Sequence, residues 1–215
     1  MNGSLEQALA ERLDQLAARG RDRKLKLLAD RRGPRARLGD APLLNLSSND
    51  YLGLGADTEL LARFLASADG VDLDHYGMTA SASRLLTGHH PACARLEEQL
   101  SALYGGRAAL VFGSGYQANV GICSALAGKG DLFLADKLCH ASLIDGMQLS
   151  GARLLRYRHG DLAHVESLLE KSHTKYRRVF IVSESVFSME GDVADLAALV
   201  RLKQRYGTAL IVDEA

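Results

Sequence analysis

Val179-Phe180-Ile181-Val182-Ser183 and Ala209-Leu210-Ile211-Val212-Asp213 are two short apolar runs, separated by a predicted helix over residues 196–206. Apolar runs of this length predict strands that are covered on both faces of a sheet. A strand, a helix and a second strand in this order are typical of the repeating unit of a parallel sheet. This stretch therefore predicts an α/β fold.

The same alternation extends upstream as far as residue 108. Further strands are predicted at 108–112, 132–135 and 153–157, and further helices at 116–126, 140–149 and 162–171. Together these segments predict a mainly parallel sheet with helices on both faces.

The N-terminal part of the chain begins with a helix signal. Ser4-Leu5-Glu6-Gln7 has the form of a capping box, and leucines recur at helical spacing as far as Leu16. The basic stretch 19–24 is predicted to continue this helix until Gly33-Pro34 ends it. The remaining predictions are a short strand at 43–46, helices at 58–65 and 91–104, and an irregular polar loop at 76–88.

Composition is that of an ordinary soluble protein. The chain has 215 residues and a formal net charge of 0, so nothing points to nucleic acid or an anionic membrane as a partner. No apolar run approaches the roughly 20 residues of a membrane span, and charges interrupt residues 5–16, so we predict no signal peptide. Three scattered cysteines do not form a disulfide framework, which favours a cytoplasmic location.

An acid at the end of an apolar strand is the sharpest chemical signal. Asp213 ends the last predicted strand, and ligands of open α/β sheets bind at that edge. A buried carboxylate needs a partner, and a protonated pyridine nitrogen is a suitable one. The alternative is a metal-binding Walker B aspartate, which the absence of a Walker A loop disfavours.

Three upstream segments are predicted to line the same edge. Gly113-Ser114-Gly115, between a strand and a helix, favours a phosphate, although such a turn can also be only a tight connection. His140 can stack on a flat ring, or it can be only a helix-capping or core histidine. Ser188 can donate to a phenolate oxygen or be only a turn residue, and Glu184 can be only a solvated acid.

A metal site is not predicted. His89, His90 and Cys93 lie close together in sequence, but adjacent histidines point in different directions and no carboxylate completes the set. A solvated helix start is the favoured interpretation.

These segments, in this order, resemble the α-oxoamine synthases, a family of fold type I pyridoxal 5'-phosphate (PLP) enzymes. The resemblance implies that residues 1–45 are an N-terminal helix and lead-in segment, and that residues 46–215 are the first part of the PLP-binding large domain. The matching segments are 45–54, 83–88 with 96–98, 113–119, 136–142, 184–192 and 212–215.

The resemblance also implies roles for individual residues. The catalytic residues would be His140, stacked on the cofactor ring and touching substrate, and Asp213, paired with the ring nitrogen. Asn49 would lie near the amino-acid carboxylate, and Arg23 would hold the distal carboxylate of the acyl substrate, with Arg21 as a rival. The cofactor-binding residues would be Ser114, Gly115, Tyr116, His140, Ser188 and Asp213.

The implied reaction is a decarboxylative condensation of L-alanine with a pimeloyl thioester, carried by coenzyme A or a carrier protein, in biotin biosynthesis. The alanine-using branch is indicated by Ser81-Ala82-Ser83-Arg84-Leu85-Leu86-Thr87-Gly88, and a glycine-using synthase is the alternative. Members of the family are homodimers, so a homodimer is expected.

One departure from the family limits these expectations. The lysine that holds the cofactor in the family lies past the aspartate segment, and no lysine of this chain stands in a matching motif. We therefore expect the chain alone not to hold PLP covalently. A non-catalytic fragment that needs a partner chain is the alternative from another functional class.

Overall fold

The computed structural model describes residues 4–67 and 79–215, with the backbone alone at 30–32 and 67. It divides into two compact units, Met1–Thr79 and Ala80–Ala215. Each unit is described by itself below. The part of the loop prediction that falls on residues 76–78 lies outside the described residues.

The first unit combines one helix with a small antiparallel sheet and a second helix. Helix α1 (Leu5–Ala18) starts at the predicted capping box, in which the Gln7 backbone N–H donates to Ser4 Oγ at 3.3 Å. Strands β1, β2 and β3 pair in sequence order, and α2 follows after a short 3-10 turn. The bounds are Leu28–Arg32 for β1, Arg35–Leu38 for β2, Ala41–Leu44 for β3 and Thr58–Ser67 for α2.

The predicted continuation of α1 through the basic stretch is wrong. The helix ends at Ala18, and Gly20 then adopts a φ of +62°, a left-handed conformation that is common just after a helix end. Gly33-Pro34 does not end a helix but joins two strands, because Arg32 and Arg35 are paired across β1 and β2.

The second unit carries the predicted alternation of helices and parallel strands. The sheet has the order β5-β4-β6-β7, and all three pairings are parallel. The strands are β4 (Leu132–Asp136), β5 (Arg153–Tyr157), β6 (Val179–Glu184) and β7 (Ala209–Asp213). The helices are α3 (Pro91–Leu103), α4 (Gly115–Leu126), α5 (Ala141–Leu149), α6 (Leu162–Ser172) and α7 (Leu196–Tyr206).

Alternation along β4 and β6 builds one core on each face of this sheet. Phe133 and Phe180 face the side of α4 and α5, where Met147 is also buried. Leu132 and Ile181 face the opposite side, with buried residues of α6 and α7. Every residue of β4 and β6 is buried, as their apolar sequences predict for central strands.

The strand predicted at 108–112 is wrong: the structure assigns no strand to these residues. Side chains form the hydrogen bonds of the Val111 backbone instead of a neighbouring strand. The Val111 N–H donates to Glu97 Oε1 at 2.7 Å, and Arg84 Nη1 donates to the Val111 carbonyl at 2.8 Å.

Among the described helices, none is long and apolar enough to cross a membrane.

Candidate active site

Three carboxylates end neighbouring parallel strands at one edge of the sheet. Asp136 ends β4, Glu184 ends β6, and Asp213 ends β7 directly opposite Glu184. Residues alternate between faces along a strand, so Glu184 and Asp213 lie on the side of α4 and α5, whereas Asp136 lies on the opposite side. This edge therefore presents acidic groups on both faces of the sheet.

The Asp213 carboxylate is held in place by hydrogen bonds. Asn119 of α4 donates from Nδ2 to Asp213 Oδ2 at 2.7 Å, and the Ala215 N–H donates to Oδ1 at 3.0 Å. The same Asn119 amide donates to Ser142 Oγ at 3.0 Å. The predicted acid is thus oriented by a helix that packs on its own face of the sheet.

His140 lies exposed at the N-cap of α5 and belongs to the same network. Its Nδ1 accepts from the Ser142 N–H at 3.2 Å and lies 2.6 Å from Ser142 Oγ. Because Nδ1 is an acceptor, the neutral imidazole carries its proton on Nε2. The structure therefore joins His140 to Asp213 through Ser142 and Asn119.

Glu184 anchors the backbone of His140. Its carboxylate accepts a hydrogen bond from the His140 N–H. Burial raises the pKa of Glu184, the hydrogen bond from His140 opposes that rise, and the nearby Asp213 charge adds to it. Glu184 is therefore a buried acid that positions the start of α5, not the solvated acid that the sequence left open.

The N-terminus of α4 is open to solvent at the predicted phosphate site. Ser114 caps the helix by accepting the Gln117 N–H at 3.2 Å, and Ser114, Gly115 and Tyr116 are all exposed. A Cβ added at Gly115 would have no heavy atom within 4 Å, so the space beside this glycine is open. Exposed amides and the helix dipole together favour an anion.

Helices α4 and α5 approach each other closely. Tyr116 donates from its hydroxyl to Asp145 Oδ2 at 2.6 Å. This hydrogen bond is the main cause of a raised Tyr116 pKa, with smaller contributions from burial and the Asp145 charge. A Cβ at Gly146 would lie 2.8 Å from the Asn119 carbonyl oxygen, so only glycine permits this approach. The two helices that carry Asn119, His140 and Ser142 are thereby fixed against each other.

Ser188 lies apart from this network. It is exposed in a turn that follows β6, and the described contacts do not join it to His140 or Asp213. Its role at a cofactor stays a prediction.

Apart from His140, the residues predicted to bind substrate lie in the first unit. Arg23 and its rival Arg21 lie in the exposed segment between α1 and β1, and Asn49 lies in the exposed loop that follows β3. Their assignments to substrate carboxylates stay predictions.

The loop that indicated the alanine-using branch is held by an ion pair. Arg84 donates from Nη2 to Glu97 Oε2 at 3.0 Å, and this bond together with the hydrogen bond from the Val111 N–H lowers the pKa of Glu97 to about 2.

His90 is the N-cap of α3, where its Nδ1 accepts from the Ala92 N–H. Within residues 4–67 and 79–215, no group of three or more His, Cys, Asp or Glu is arranged to hold a metal ion.

Sequence reasoning missed Asn119, Ser142 and the positioning role of Glu184. The signal for Asn119 was present, because it is a polar residue just before the apolar run Val120-Gly121-Ile122-Cys123 of a predicted helix. Ser142 offered no such signal, since serine is common in the first turn of helices. Together the site offers anion-binding amides, an oriented carboxylate for a cationic ring nitrogen, and an exposed imidazole.

Comparison with known proteins gives a consistent result. The family model "Aminotransferase class I and II" matches residues 41–215. The chain is 51% identical over 212 residues to the 8-amino-7-oxononanoate synthase of Chlorobaculum parvum, covering 98% of this chain and 54% of the relative. It is 49% identical over 210 residues to the 8-amino-7-oxononanoate synthase of Haemophilus ducreyi, covering 96% of this chain and 54% of that relative. The chain spans about half the length of these curated relatives.

Solved structures share the fold. A serine palmitoyltransferase from S. paucimobilis with a bound PLP–myriocin aldimine superposes with a TM-score of 0.83 at 29% identity, covering 100% of this chain and 55% of that one. An 8-amino-7-oxononanoate synthase from Francisella tularensis gives a TM-score of 0.61 at 31% identity, covering 79% and 44%. The predicted α/β fold of fold type I PLP enzymes is confirmed.

Proposed function

The chain belongs to the aminotransferase class I and II family, and on that premise we propose that the protein carrying it is an 8-amino-7-oxononanoate synthase. Such an enzyme joins the α-carbon of L-alanine to the thioester carbon of a pimeloyl donor, releasing the carrier thiol and carbon dioxide. The observation that carries the proposal is the Asp213 carboxylate, oriented by Asn119 at the ligand-binding edge of the sheet.

The chemistry of the site residues fits PLP. The amides of Gly115 and Tyr116, next to Ser114, suit its phosphate, because these exposed residues lie at a helix N-terminus and the space beside Gly115 is open. The Asp213 carboxylate suits the ring nitrogen of PLP, and the His140 imidazole suits the face of the PLP ring. Bound PLP supplies an electron sink for the carbanion formed at the amino-acid α-carbon.

The chain's own residues act through charge and orientation. Asp213 holds a proton on the ring nitrogen, since a pair of opposite charges about 4 Å apart is worth about 4 kcal/mol at an effective dielectric constant of about 20. Asn119 fixes the direction of that carboxylate. His140, whose Nδ1 is occupied by Ser142, presents Nε2–H as a donor toward substrate.

The remaining assignments complete the proposal. Ser188 donates to the phenolic oxygen of PLP, Asn49 binds the alanine carboxylate, and Arg23 binds the distal pimeloyl carboxylate. A guanidinium is suited to that task because it binds carboxylates through two parallel hydrogen bonds. We place the enzyme in the cytoplasm as a homodimer, and the free cysteines support that location.

Product analysis of the natural protein tests the proposal. We expect the purified protein, supplied with PLP, L-alanine and a pimeloyl thioester, to release one carbon dioxide and one thiol per 8-amino-7-oxononanoate formed. Supplying the donor as coenzyme A ester and as carrier-protein ester identifies the carrier. Faster turnover of glycine than of L-alanine would transfer the assignment to a glycine-using synthase, and no turnover of either would refute it.

A further inference from the structure

A second polar cluster lies on the other face of the same sheet edge. His159 follows β5, and its Nδ1 lies 3.0 Å from Asp136 Oδ1 while its Nε2 lies 2.7 Å from Asp192 Oδ2. Asp136 is fully buried at the end of β4 and also accepts the backbone N–H groups of Leu138 and Gly160. The imidazole thus bridges a fixed carboxylate in the sheet and a carboxylate in a loop.

The loop that carries Asp192 also carries Ser188. It is closed by backbone hydrogen bonds, in which the Phe187 N–H donates to the Asp192 carbonyl at 3.0 Å and the Gly191 N–H donates to the Phe187 carbonyl at 2.7 Å. Ser188 is the first residue of the turn between them. Any residue that holds both Phe187 and Asp192 therefore holds the turn that presents Ser188.

His159 contacts both of these residues. Its ring stands edge-on to the Phe187 ring, with centroids 4.5 Å apart and an interplanar angle of 84°. Phe187 is only 2% exposed, so this contact lies in the interior. The three side chains line a small cavity of about 170 Å³ together with Asp136. His159 gives the loop one aromatic contact and one charged hydrogen bond, in addition to the backbone bond from the Ala194 N–H to the Ser185 carbonyl at 3.0 Å that closes its base.

We propose that His159 is a positioning residue, which joins Asp136 to Asp192 and thereby holds the Ser188 turn in the arrangement that receives the phenolic oxygen of PLP. The proposal rests on the function proposed above for Ser188, but the fastening of the loop does not depend on it. Amide hydrogen exchange in the loop tests the role of His159, and the absorption of bound PLP separately tests the proposed function.

Electrostatics supports a charged imidazole at this position. Burial lowers the pKa of His159, but the hydrogen bonds to Asp136 and Asp192 outweigh burial and leave the pKa above its ordinary value. Both ring nitrogens can donate only in the protonated form, which matches a carboxylate acceptor on each side. The protonated ring is therefore the form that fastens the loop.

Hydrogen exchange and cofactor absorption in the natural protein test the proposal. The variants are Asp192→Ala and His159→Gln, with Asp192→Asn as the conservative form, which keeps an acceptor for Nε2–H. Asp192 is half-exposed, with 53% of its side chain accessible, so its variants retain the core and report on the loop alone. The matched control is Glu190→Gln, because Glu190 is an exposed acid in the same turn with no hydrogen bond or ion pair among the described residues.

We expect the amides of Phe187 and Gly191 to exchange at least about tenfold faster in Asp192→Ala and His159→Gln, with Asp192→Asn close to the parent. We also expect the pH midpoint of the bound PLP absorption band to move in both variants and to stay in place in the control. Unchanged exchange overturns the proposal, as does faster exchange with an unmoved midpoint. If the parent protein binds no PLP, the proposed function fails, while the exchange result still decides whether His159 fastens the loop.

Discussion

Asn119 uses both hydrogens of its side-chain amide inside the candidate site. One is donated to Ser142 and the other to Asp213, at 3.0 and 2.7 Å. A single side chain therefore sets the direction of the carboxylate and, through Ser142, the ring of His140. Hydrogen bonds to charged groups contribute about 1.5–3 kcal/mol each, so this residue is expected to affect cofactor binding strongly.

Replacement of Asn119 by alanine is predicted to weaken PLP binding by about 10- to 100-fold, which corresponds to the loss of one hydrogen bond to a charged acceptor. The reason is that Asp213 loses the donor that aims it. The measurement is a PLP titration of the natural protein followed by absorbance. Gln148→Ala serves as the control, because Gln148 is exposed near the C-terminal end of α5. Equal affinity of the two variants for PLP would contradict the prediction.

At this scale, the sequence predicted isolated acids and donors better than it predicted their partners. Asp213 and His140 could be identified because each stands where a strand ends or a helix begins. Asn119 was visible as a polar residue of a predicted helix, but its partner Asp213 lies 94 positions away, and no local pattern identifies that pairing. Long-range pairing of this kind is fixed by tertiary packing, not by spacing.

At the scale of elements, the contact between α4 and α5 depends on one glycine. A Cβ at Gly146 would lie 2.8 Å from the Asn119 carbonyl oxygen and 2.8 Å from the Val120 Cα. These are backbone atoms, which cannot move away as the end of a flexible side chain would. The helices would have to separate, and Asn119 would move with them.

Gly146→Ala is therefore predicted to destabilise the fold by about 1–3 kcal/mol, despite the better helix propensity of alanine. The free energy of unfolding in urea measures the effect. Gly115→Ala is the matched control, since Gly115 is also in a helix but has open space at its Cβ position, and its stability should change by no more than about 0.5 kcal/mol. Equal stability of the two variants would disprove the claim of close approach.

The loop after β6 is predicted to loosen as pH rises. A histidine whose pKa is raised on folding contributes stability that is present at low pH and is lost as pH rises through its folded value. Exchange at the Gly191 amide, corrected for intrinsic rate, should therefore show protection that falls above about pH 6.5. In His159→Gln this pH dependence should vanish, and its persistence would assign the titration elsewhere. Other titratable groups around the same cavity are Asp136, Tyr157, Asp161, Asp192 and Asp195.

Element prediction succeeded where the apolar pattern is regular. The strands at 153–157 and 209–213 and the helix at 196–206 have the predicted bounds, although both strands are only partly buried. It failed at 108–112, where an apolar run is present but Glu97 and Arg84 take the backbone hydrogen bonds. It also failed at 19–34, where glycine turns break a stretch with good helix formers.

At the scale of the second unit, the two ends of the parallel strands carry different groups. The carboxyl edge carries Glu184, Asp213 and the amides of α4, which form the candidate cofactor site. The opposite edge is closed by Asp131, which is fully buried just before β4. Arg177 and Arg178 reach it from the start of β6 at 2.8 and 2.7 Å, and the Gly128 N–H donates to it at 2.9 Å. This edge ties two central strands together and is expected to govern stability.

Asp131→Asn is predicted to lower the free energy of unfolding at pH 7 by about 1–3 kcal/mol, because charge-assisted bonds to two arginines are lost while both arginines remain hydrated. Hydrogen bonds from Arg177 and Arg178 lower the pKa of Asp131 in the folded state. A lowered pKa gives stability that is present above the unfolded value and is lost as pH falls through the folded one. The difference between parent and variant should therefore shrink below about pH 4.

Urea unfolding of the natural protein from pH 3 to 7 measures this difference. Glu98→Gln is the control, since Glu98 is an exposed acid of α3, and its curve should follow that of the parent throughout. A difference that stays constant down to pH 3 would show that Asp131 acts by shape and not by charge. If the parent and Asp131→Asn curves converge at low pH, the acid sensitivity of the sheet arises at the amino ends of its strands, opposite Asp213. Folding stability and cofactor chemistry could then be altered separately.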